Sequence, residues 1–165
     1  MTPEIALYHK LLLQAGVDDQ YELYLNHLLE HEQPLSEIAV ELAFCMSDVN
    51  RTISILHNYI IVQKPDMDVV ASLVWDDLHR RYCTGALPNA DLRRIMYQIT
   101  IASGLCFEEP WYTMAFFDLC WDEVEIGFLD KENFLRTMDE FLMNRTTITD
   151  PWTYVSTDFE QEVNP

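Results

Sequence analysis

Two histidines and a glutamate near the start of the chain have the spacing of a zinc site. His27, Glu30 and His31 match the pattern H-x-x-E-H of inverted zinc proteases, in which two histidines one helical turn apart bind the metal and the glutamate acts as general base. The apolar face of this segment centres on Tyr21 and Leu25, which places His27 and Glu30 on the solvent side of a predicted helix. Because no third ligand follows at a suitable spacing, we interpret the three residues as a solvated helix surface, with metal binding as the alternative.

The most apolar stretch of the sequence contains a second candidate. Asp118 lies inside residues 111–121, and Asp122 and Glu125 follow it at helical spacings that could bring three carboxylates onto neighbouring faces. Such a cluster can bind a divalent cation, and burial would raise the pKa values of its members. No glycine-rich loop, nucleophile elbow or histidine accompanies these acids, so we predict that Asp118 pairs with an arginine instead. We therefore assign no catalytic residue, no cofactor and no metal ligand, and an enzymatic function is disfavoured.

The only local concentration of positive charge surrounds Gly85. Arg80 and Arg81 precede this glycine, and Arg93 and Arg94 follow it. An anion could bind among the four arginines, but no glycine-rich cradle accompanies them. We expect these arginines to pair with acidic side chains inside the fold.

The formal net charge of −18 is the most unusual property of the sequence. Its 28 acidic residues outnumber 10 lysines and arginines, and residues 111–165 alone contain twelve acids against three bases. Such a field repels nucleic acids and anionic membranes, whereas it accelerates association with basic proteins. Residues 35–56 have the apolar spacing of a helix-turn-helix, but Glu37, Glu41 and Asp48 there oppose a single base, Arg51. We therefore predict no direct nucleic-acid binding, no membrane binding and a basic protein as the partner; acidity that serves only solubility is the alternative.

Composition favours a cytoplasmic location. The chain starts with an acidic rather than a basic segment, and no apolar run approaches the roughly 20 residues that span a bilayer. The cysteines lie far apart, each in an apolar stretch, without the close pairs of zinc sites or disulfide-rich proteins. We interpret Cys45, Cys83, Cys106 and Cys120 as free, buried core residues.

The elements that must position these residues are helices. The chain has only four glycines, too few for turn-dense β-structure, and its apolar residues recur at intervals of three and four. Glycines, prolines and capping residues divide it into eight predicted helices: 3–15, 19–32 with Asp18 or Asp19 as its cap, one from Ser36, one from after Ser47 to before Pro65, 66–85, 88–104, 111–121 and one after Asp130. The helix at 111–121 is apolar on nearly every side, so we place it at the centre of the core. The prediction is an all-α single domain over residues 1–145, an orthogonal bundle of seven or eight helices, followed by an irregular tail, 146–165, with Trp152, Tyr154 and Phe159 as anchors.

The leading hypotheses for function concern binding. The first is an acidic interaction module that binds a basic partner, as a toxin-neutralising immunity protein does. The alternatives are a nucleic-acid mimic that inhibits a DNA-binding enzyme, a helical metal-dependent hydrolase built on the candidates above, and an adaptor or regulatory subunit. Half of the net charge lies in residues 111–165, so we place the binding face at five acids there: Asp122, Glu123, Glu125, Asp139 and Glu140. We make no prediction of the oligomeric state.

Overall fold

A computed structural model describes residues 1–17, 19–150 and 154–155 of the 165-residue chain. Asp18, a predicted helix cap, and Trp152 and Phe159, predicted tail anchors, lie outside the described residues. The chain forms two compact units, residues 1–74 and 75–165, and the boundary falls inside the fifth helix. Because a compact unit need not fold independently, the predicted single domain over residues 1–145 stays a prediction.

Every regular element in the described residues is helical, which confirms the predicted all-α class. Nine helices are present there: α1 (Pro3–Gln14), α2 (Asp19–His31), α3 (Glu37–Ala43), α4 (Val49–Gln63), α5 (Met67–Thr84), α6 (Asn89–Ser103), α7 (Trp111–Leu119), α8 (Trp121–Glu125) and α9 (Lys131–Asn144). The extra helix is α8, because the predicted helix over 111–121 corresponds to α7 and no helix is predicted for the residues after 121. None of the helices in these residues combines the length and apolar character needed to traverse a bilayer.

Residues 1–74 pack four helices around a small apolar core. Leu13 of α1, Leu25 of α2, Leu42 of α3 and Leu56 of α4 are all buried in one cluster. Helix α1 packs mainly on α4, while α3 contacts both α2 and α4. The Asp48 carboxylate begins α4 by accepting a hydrogen bond from the Arg51 N–H at 3.0 Å. Helix α3 lies beside α4, and the groove described below is between these two helices.

Helix α7 forms the centre of the core of residues 75–165, as its apolar circumference predicts. The rings of Phe116 and Phe117 lie beside Phe134, with centroids 5.6 and 5.7 Å apart, and Phe117 also meets Phe141 at 5.8 Å. At these separations the aromatic pairs add an attractive contribution to the burial of their apolar area. Trp111, at the start of the same helix, is only 2% exposed.

The chain bends at Cys120, so α7 ends two residues before the predicted end of the helix at 121. The φ and ψ angles of this residue, −97° and 11°, lie outside the helical range. The bend places Trp121 against Arg93 of α6, whose guanidinium carbon lies 3.5 Å from the centroid of the indole ring. The same indole lies 6.0 Å from the ring of Phe134. Periodicity within 111–121 carries no information about these distant partners, so it cannot predict the bend.

The described part of the C-terminal tail lies over this core. Ile148 and Tyr154 are buried, and the Tyr154 ring packs 5.7 Å from that of Phe116, which confirms Tyr154 as an anchor. The N–H of Asp130 donates to the Tyr154 carbonyl at 2.7 Å. The Asp130 side chain also caps α9 by accepting a hydrogen bond from the Asn133 N–H at 2.6 Å. One residue therefore both starts α9 and fixes the tail.

A buried carboxylate organises the second half of α5. The Asp77 side chain is 3% exposed and accepts hydrogen bonds from Arg80 and from Nε of Arg81, the latter at 2.6 Å. Arg94 pairs with Asp91 at 3.3 Å. Three of the four arginines that were expected to pair with acids therefore do so. Because the Arg81 side chain is only 7% exposed, Asp77 compensates a cation that water barely reaches.

We expect Asp77→Ala to lower the free energy of unfolding by about 3 kcal/mol or more, because it removes the carboxylate that compensates the buried Arg81 guanidinium. The matched control, Asp76→Ala, removes an exposed acid that lies 3.5 Å from Arg145. It should cost less than about 1 kcal/mol. Urea unfolding followed by circular dichroism measures both values. Equal losses in the two variants would contradict a stabilising role for the buried pair.

Candidate functional site

A concave surface of the described residues forms a groove between α3 and α4. Its volume is about 520 Å³. Three glutamates and an apolar floor define it, and we call it the acidic groove: the acids are Glu32, Glu37 and Glu41, and the floor includes Ile38, Ile55 and Tyr59. The groove lies wholly within the unit of residues 1–74.

Helical spacing and one side-chain contact place the three glutamates. Glu37 and Glu41 are one turn apart on α3, so both project from the same side of this helix. Glu32 follows α2 and accepts two hydrogen bonds from Ser36, one from Oγ at 2.8 Å and one from the backbone N–H at 3.2 Å. The bond from the hydroxyl, and then the bond from the backbone, hold the pKa of Glu32 below its ordinary value.

The charged side chains of the acidic groove are all negative, and the one positive group in its lining is the Met1 amino group, which adds to the two hydrogen bonds in lowering the pKa of Glu32. Glu37 and Glu41 are exposed, and in the described part of the chain neither meets a lysine or arginine within ion-pair distance. No basic side chain lines the groove. The Tyr59 hydroxyl donates to the Met1 carbonyl at 2.8 Å, which fixes the aromatic ring in the floor. The groove therefore offers negative charge above an immobilised apolar surface.

The predicted zinc residues lie on the solvent side of α2. His27, Glu30 and His31 are all exposed, as the helical periodicity predicts. The two imidazoles stack with centroids 4.2 Å apart, and Nδ1 of His31 donates to the His27 carbonyl at 2.9 Å. Across the described residues, no three side chains of His, Cys, Asp or Glu come together as a metal site. The structure therefore brings no third ligand to this pair.

The carboxylates near α7 lie close to a buried arginine. Arg93 is 7% exposed and stacks on Trp121, whose Nε1 donates to Glu125 at 2.7 Å. Burial lowers the pKa of Arg93, whereas the negative charges of Asp118 and Glu125 oppose that shift. Asp118 thus acts on Arg93 through its charge, but among the described residues no ion pair joins it to an arginine, so the predicted pairing is not confirmed. Asp122, the third member of the predicted cluster, is exposed.

The five acids of the predicted binding face lie on α8 and α9, and several already contact neighbours. Glu125 accepts from Trp121, Glu140 lies 3.5 Å from Arg136, and Asp139 accepts a hydrogen bond from the Tyr82 hydroxyl. The bond to Asp139 raises the pKa of Tyr82 to about 12. Asp122 is exposed, whereas Glu123 is partly buried. A binding role for these five residues stays a prediction.

All four cysteines are free, but their environments differ from the predicted one. Cys45 is buried, and Cys106 and Cys120 are partly buried. Cys83 is exposed, so its predicted core position is wrong: its sulfur lies 3.6 Å from Nε2 of His79 and 3.8 Å from Sδ of Met143. Helical periodicity placed Cys83 in an apolar segment but could not show which face α9 leaves open.

Sequence reasoning missed the acidic groove, although two of its residues stand out in the sequence. In the sequence analysis, Glu37 and Glu41 serve only as an argument against DNA binding, and Glu32 belongs to no motif. The spacing of the two glutamates on α3 is readable, but the floor residues Ile55 and Tyr59 come from α4, so only packing could join them.

Comparison of the chain with protein-family models, curated proteins and solved structures finds no match.

Removing the hydroxyl of Ser36 should raise the pKa of Glu32. We expect Ser36→Ala to move this pKa toward its ordinary value of 4.5, because the strongest donor to the carboxylate is lost. A folded-state pKa below the unfolded value contributes stability above pH 4.5 that is lost as the pH falls through the folded value. Carboxyl titration by NMR measures the shift in both proteins. An unchanged pKa of Glu32 would show that the hydroxyl bond is not its cause.

The interaction of Asp118 with Arg93 can be isolated by a double-mutant cycle. We expect Asp118→Asn to lower the free energy of unfolding by about 1 kcal/mol in the wild-type background. In the Arg93→Met background the same substitution should leave the free energy of unfolding nearly unchanged. Asp122→Asn, an exposed neighbour, should have no effect in either background. A rise in melting temperature with Mg²⁺ that Asp118→Asn abolishes would instead support the metal-dependent hydrolase.

Proposed function

We propose that this protein is an acidic interaction module that binds a basic segment of a partner protein in the acidic groove. One observation carries the proposal: three glutamates lie around an apolar floor in a groove of about 520 Å³, and the only cationic group in the groove lining is the Met1 amino group. A groove with this combination suits a long cationic side chain. The partner's lysine or arginine stem can lie on apolar atoms while its charged end reaches a carboxylate.

Arginine fits the groove better than lysine. Glu37 and Glu41 are one helical turn apart, so a planar guanidinium can donate to one carboxylate in a bidentate manner while remaining near the other. Its flat face can also pack against the ring of Tyr59 on the floor. Lysine supplies only a compact charge with no stacking surface.

The charge of the whole chain supports fast capture of such a partner. A net charge of −18 raises the association rate with basic proteins through long-range attraction, and salt weakens this effect. Because the glutamates are not deeply buried, each contact adds a modest free energy, so steering and the number of contacts would dominate binding.

A toxin-neutralising immunity role is the finer form of this proposal, and a nucleic-acid mimic is its main competitor. The two differ in what displaces the protein from its partner. A mimic occupies the DNA site, so added duplex DNA should compete with it. An inhibitor that binds elsewhere on a basic toxin should not be displaced by DNA at the same ionic strength.

A hexa-arginine peptide can stand in for the basic segment of the partner and so tests the proposal directly. NMR titration should show the largest shift changes at residues 37–41 and 55–59. The variant Glu37→Gln/Glu41→Gln should weaken binding about fivefold, which corresponds to about 1 kcal/mol. The control variant Glu22→Gln/Glu30→Gln removes the same charge from exposed positions of α2 outside the groove.

The proposal requires that Glu37→Gln/Glu41→Gln weaken peptide binding more than Glu22→Gln/Glu30→Gln does. If both weaken the peptide to the same degree, attraction is a property of the net charge and the groove is not the site. If the largest shifts instead fall on α8 and α9, the face of Asp122, Glu123, Glu125, Asp139 and Glu140 is the site.

A further inference from the structure

We propose that a second groove, between α6 and α7, binds an amphipathic helix with basic ends from a partner protein. This apolar groove has a volume of about 260 Å³ and lies within the unit of residues 75–165. Its lining includes Tyr97 and Ile101 of α6, Phe116 and Leu119 of α7, and Cys106 and Phe107 of the loop between them. The proposal concerns a site separate from the acidic groove and shares with the proposed function only the basic character of the partner.

The apolar groove follows from the helical spacing of its walls. Tyr97 and Ile101 are one turn apart on α6, and Phe116 and Leu119 are three residues apart on α7, so each helix presents a short apolar stripe. Ile101 is 53% exposed and Leu119 is 60% exposed. These side chains continue the core packing of α6 and α7 outward to a surface that no described residue covers.

Phe107 projects into solvent from a turn that hydrogen bonds hold in place. Its side chain is 95% exposed, which is unusual for an aromatic residue. Gly104 ends α6 with a φ of 75°, the Leu105 N–H donates to Ser103 Oγ at 3.1 Å, and the Glu108 N–H donates to the Leu105 carbonyl at 3.0 Å. The exposure of Phe107 is therefore built into an ordered turn. A rigid aromatic beside an apolar groove is the type of residue that dominates binding at interfaces.

The charges around the apolar groove select its occupant. No charged residue lines it, and the charged residues next to its lining in sequence are acidic: Glu108 beside Phe107 and Asp118 beside Leu119. Arg93, one turn before Tyr97, is buried against Trp121. The exposed Arg94, on the same face of α6 as Tyr97, is paired with Asp91 at 3.3 Å. An occupant therefore needs an apolar face and basic residues near its ends. A second copy of this chain would bring another net charge of −18, which opposes self-association.

The dimensions favour a helix as the binding element. Helix α7 has nine residues, which corresponds to about 13 Å of helical rise. A partner helix of similar length would place apolar residues at i, i+3 or i+4, and i+7 along the groove. The acidic groove differs because three glutamates line it, so it suits individual cationic side chains.

Alkylation of Cys106 reports directly on occupancy of the apolar groove. The probe is a 14-residue helical peptide with leucines at i, i+3, i+4 and i+7 and lysines at both ends. We expect a saturating concentration of it to slow the reaction of Cys106 with iodoacetamide about fivefold or more, as mass mapping of each cysteine would show. The exposed Cys83, which does not line the groove, should react at an unchanged rate. The same peptide with glutamates at its ends should give little protection.

Surface substitutions identify the contacts without disturbing the core. Phe107→Ser and Leu119→Ser, both at exposed positions, should weaken peptide binding about fivefold or more. The matched control is Ile126→Ser, which removes an apolar side chain that is 79% exposed and lies outside the groove. This control should leave the affinity unchanged, and circular dichroism would verify that all three variants fold.

Four outcomes would overturn the proposal. In the first, the peptide slows alkylation of Cys83 as much as that of Cys106, and in the second, the peptide with glutamates at its ends protects Cys106 as well as the lysine peptide does. In the third, Ile126→Ser weakens peptide binding as much as Phe107→Ser and Leu119→Ser do. In the fourth, Cys106 is protected without peptide because the protein associates with itself. The variant Glu37→Gln/Glu41→Gln separates this site from the proposed function, because protection of Cys106 should persist in it. If that variant alone abolishes peptide binding, the acidic groove is the site and the apolar groove is not.

Discussion

A shortage of cations governs how this chain uses its charge, because 28 carboxylates share 10 lysines and arginines. The unit of residues 75–165 places its arginines beside specific partners. Arg80 and Arg81 form ion pairs with Asp77, and Arg136 forms one with Glu140. Arg93 stacks on Trp121. The guanidinium groups thus contact a buried carboxylate, an exposed one and an aromatic ring, and most of the 28 acids cannot have a cation of their own.

In residues 1–74, hydrogen bonds from uncharged donors rather than ion pairs hold several carboxylates. This unit contains only three lysines and arginines. Glu32 accepts from Ser36, Asp48 from the Arg51 N–H, and Glu4 from the Asp66 N–H. Such bonds hold a carboxylate in position and leave its charge in place. The stability of this unit must therefore come mainly from its leucine-rich core, while its negative charge remains available to a partner.

The two grooves combine apolar and acidic character in different proportions. In the acidic groove the carboxylates form the wall and the apolar surface forms the floor, so the recognition that we propose there centres on a cation. In the apolar groove the relation is reversed: the lining is uncharged, and the acids Glu108 and Asp118 stand next to it in sequence. Both arrangements disfavour acidic ligands, and both follow from the same scarcity of basic residues. Each groove lies within its own compact unit.

The sequence by itself determined the helices, most of their ends and the central position of α7. These features depend on apolar spacing of three and four residues, on glycines such as Gly104 that end a helix, and on caps such as Asp130, all of which act within a few residues. Tertiary structure alone decided the bend at Cys120, the stacking of Arg93 on Trp121 and the exposure of Cys83. It also decided that Glu37 of α3 lines the same groove as apolar side chains of α4. Each of these joins residues that are distant in the chain or depends on which face a neighbouring helix leaves uncovered. Local periodicity identifies the face of a helix that must be buried, but only the packed fold determines what covers that face.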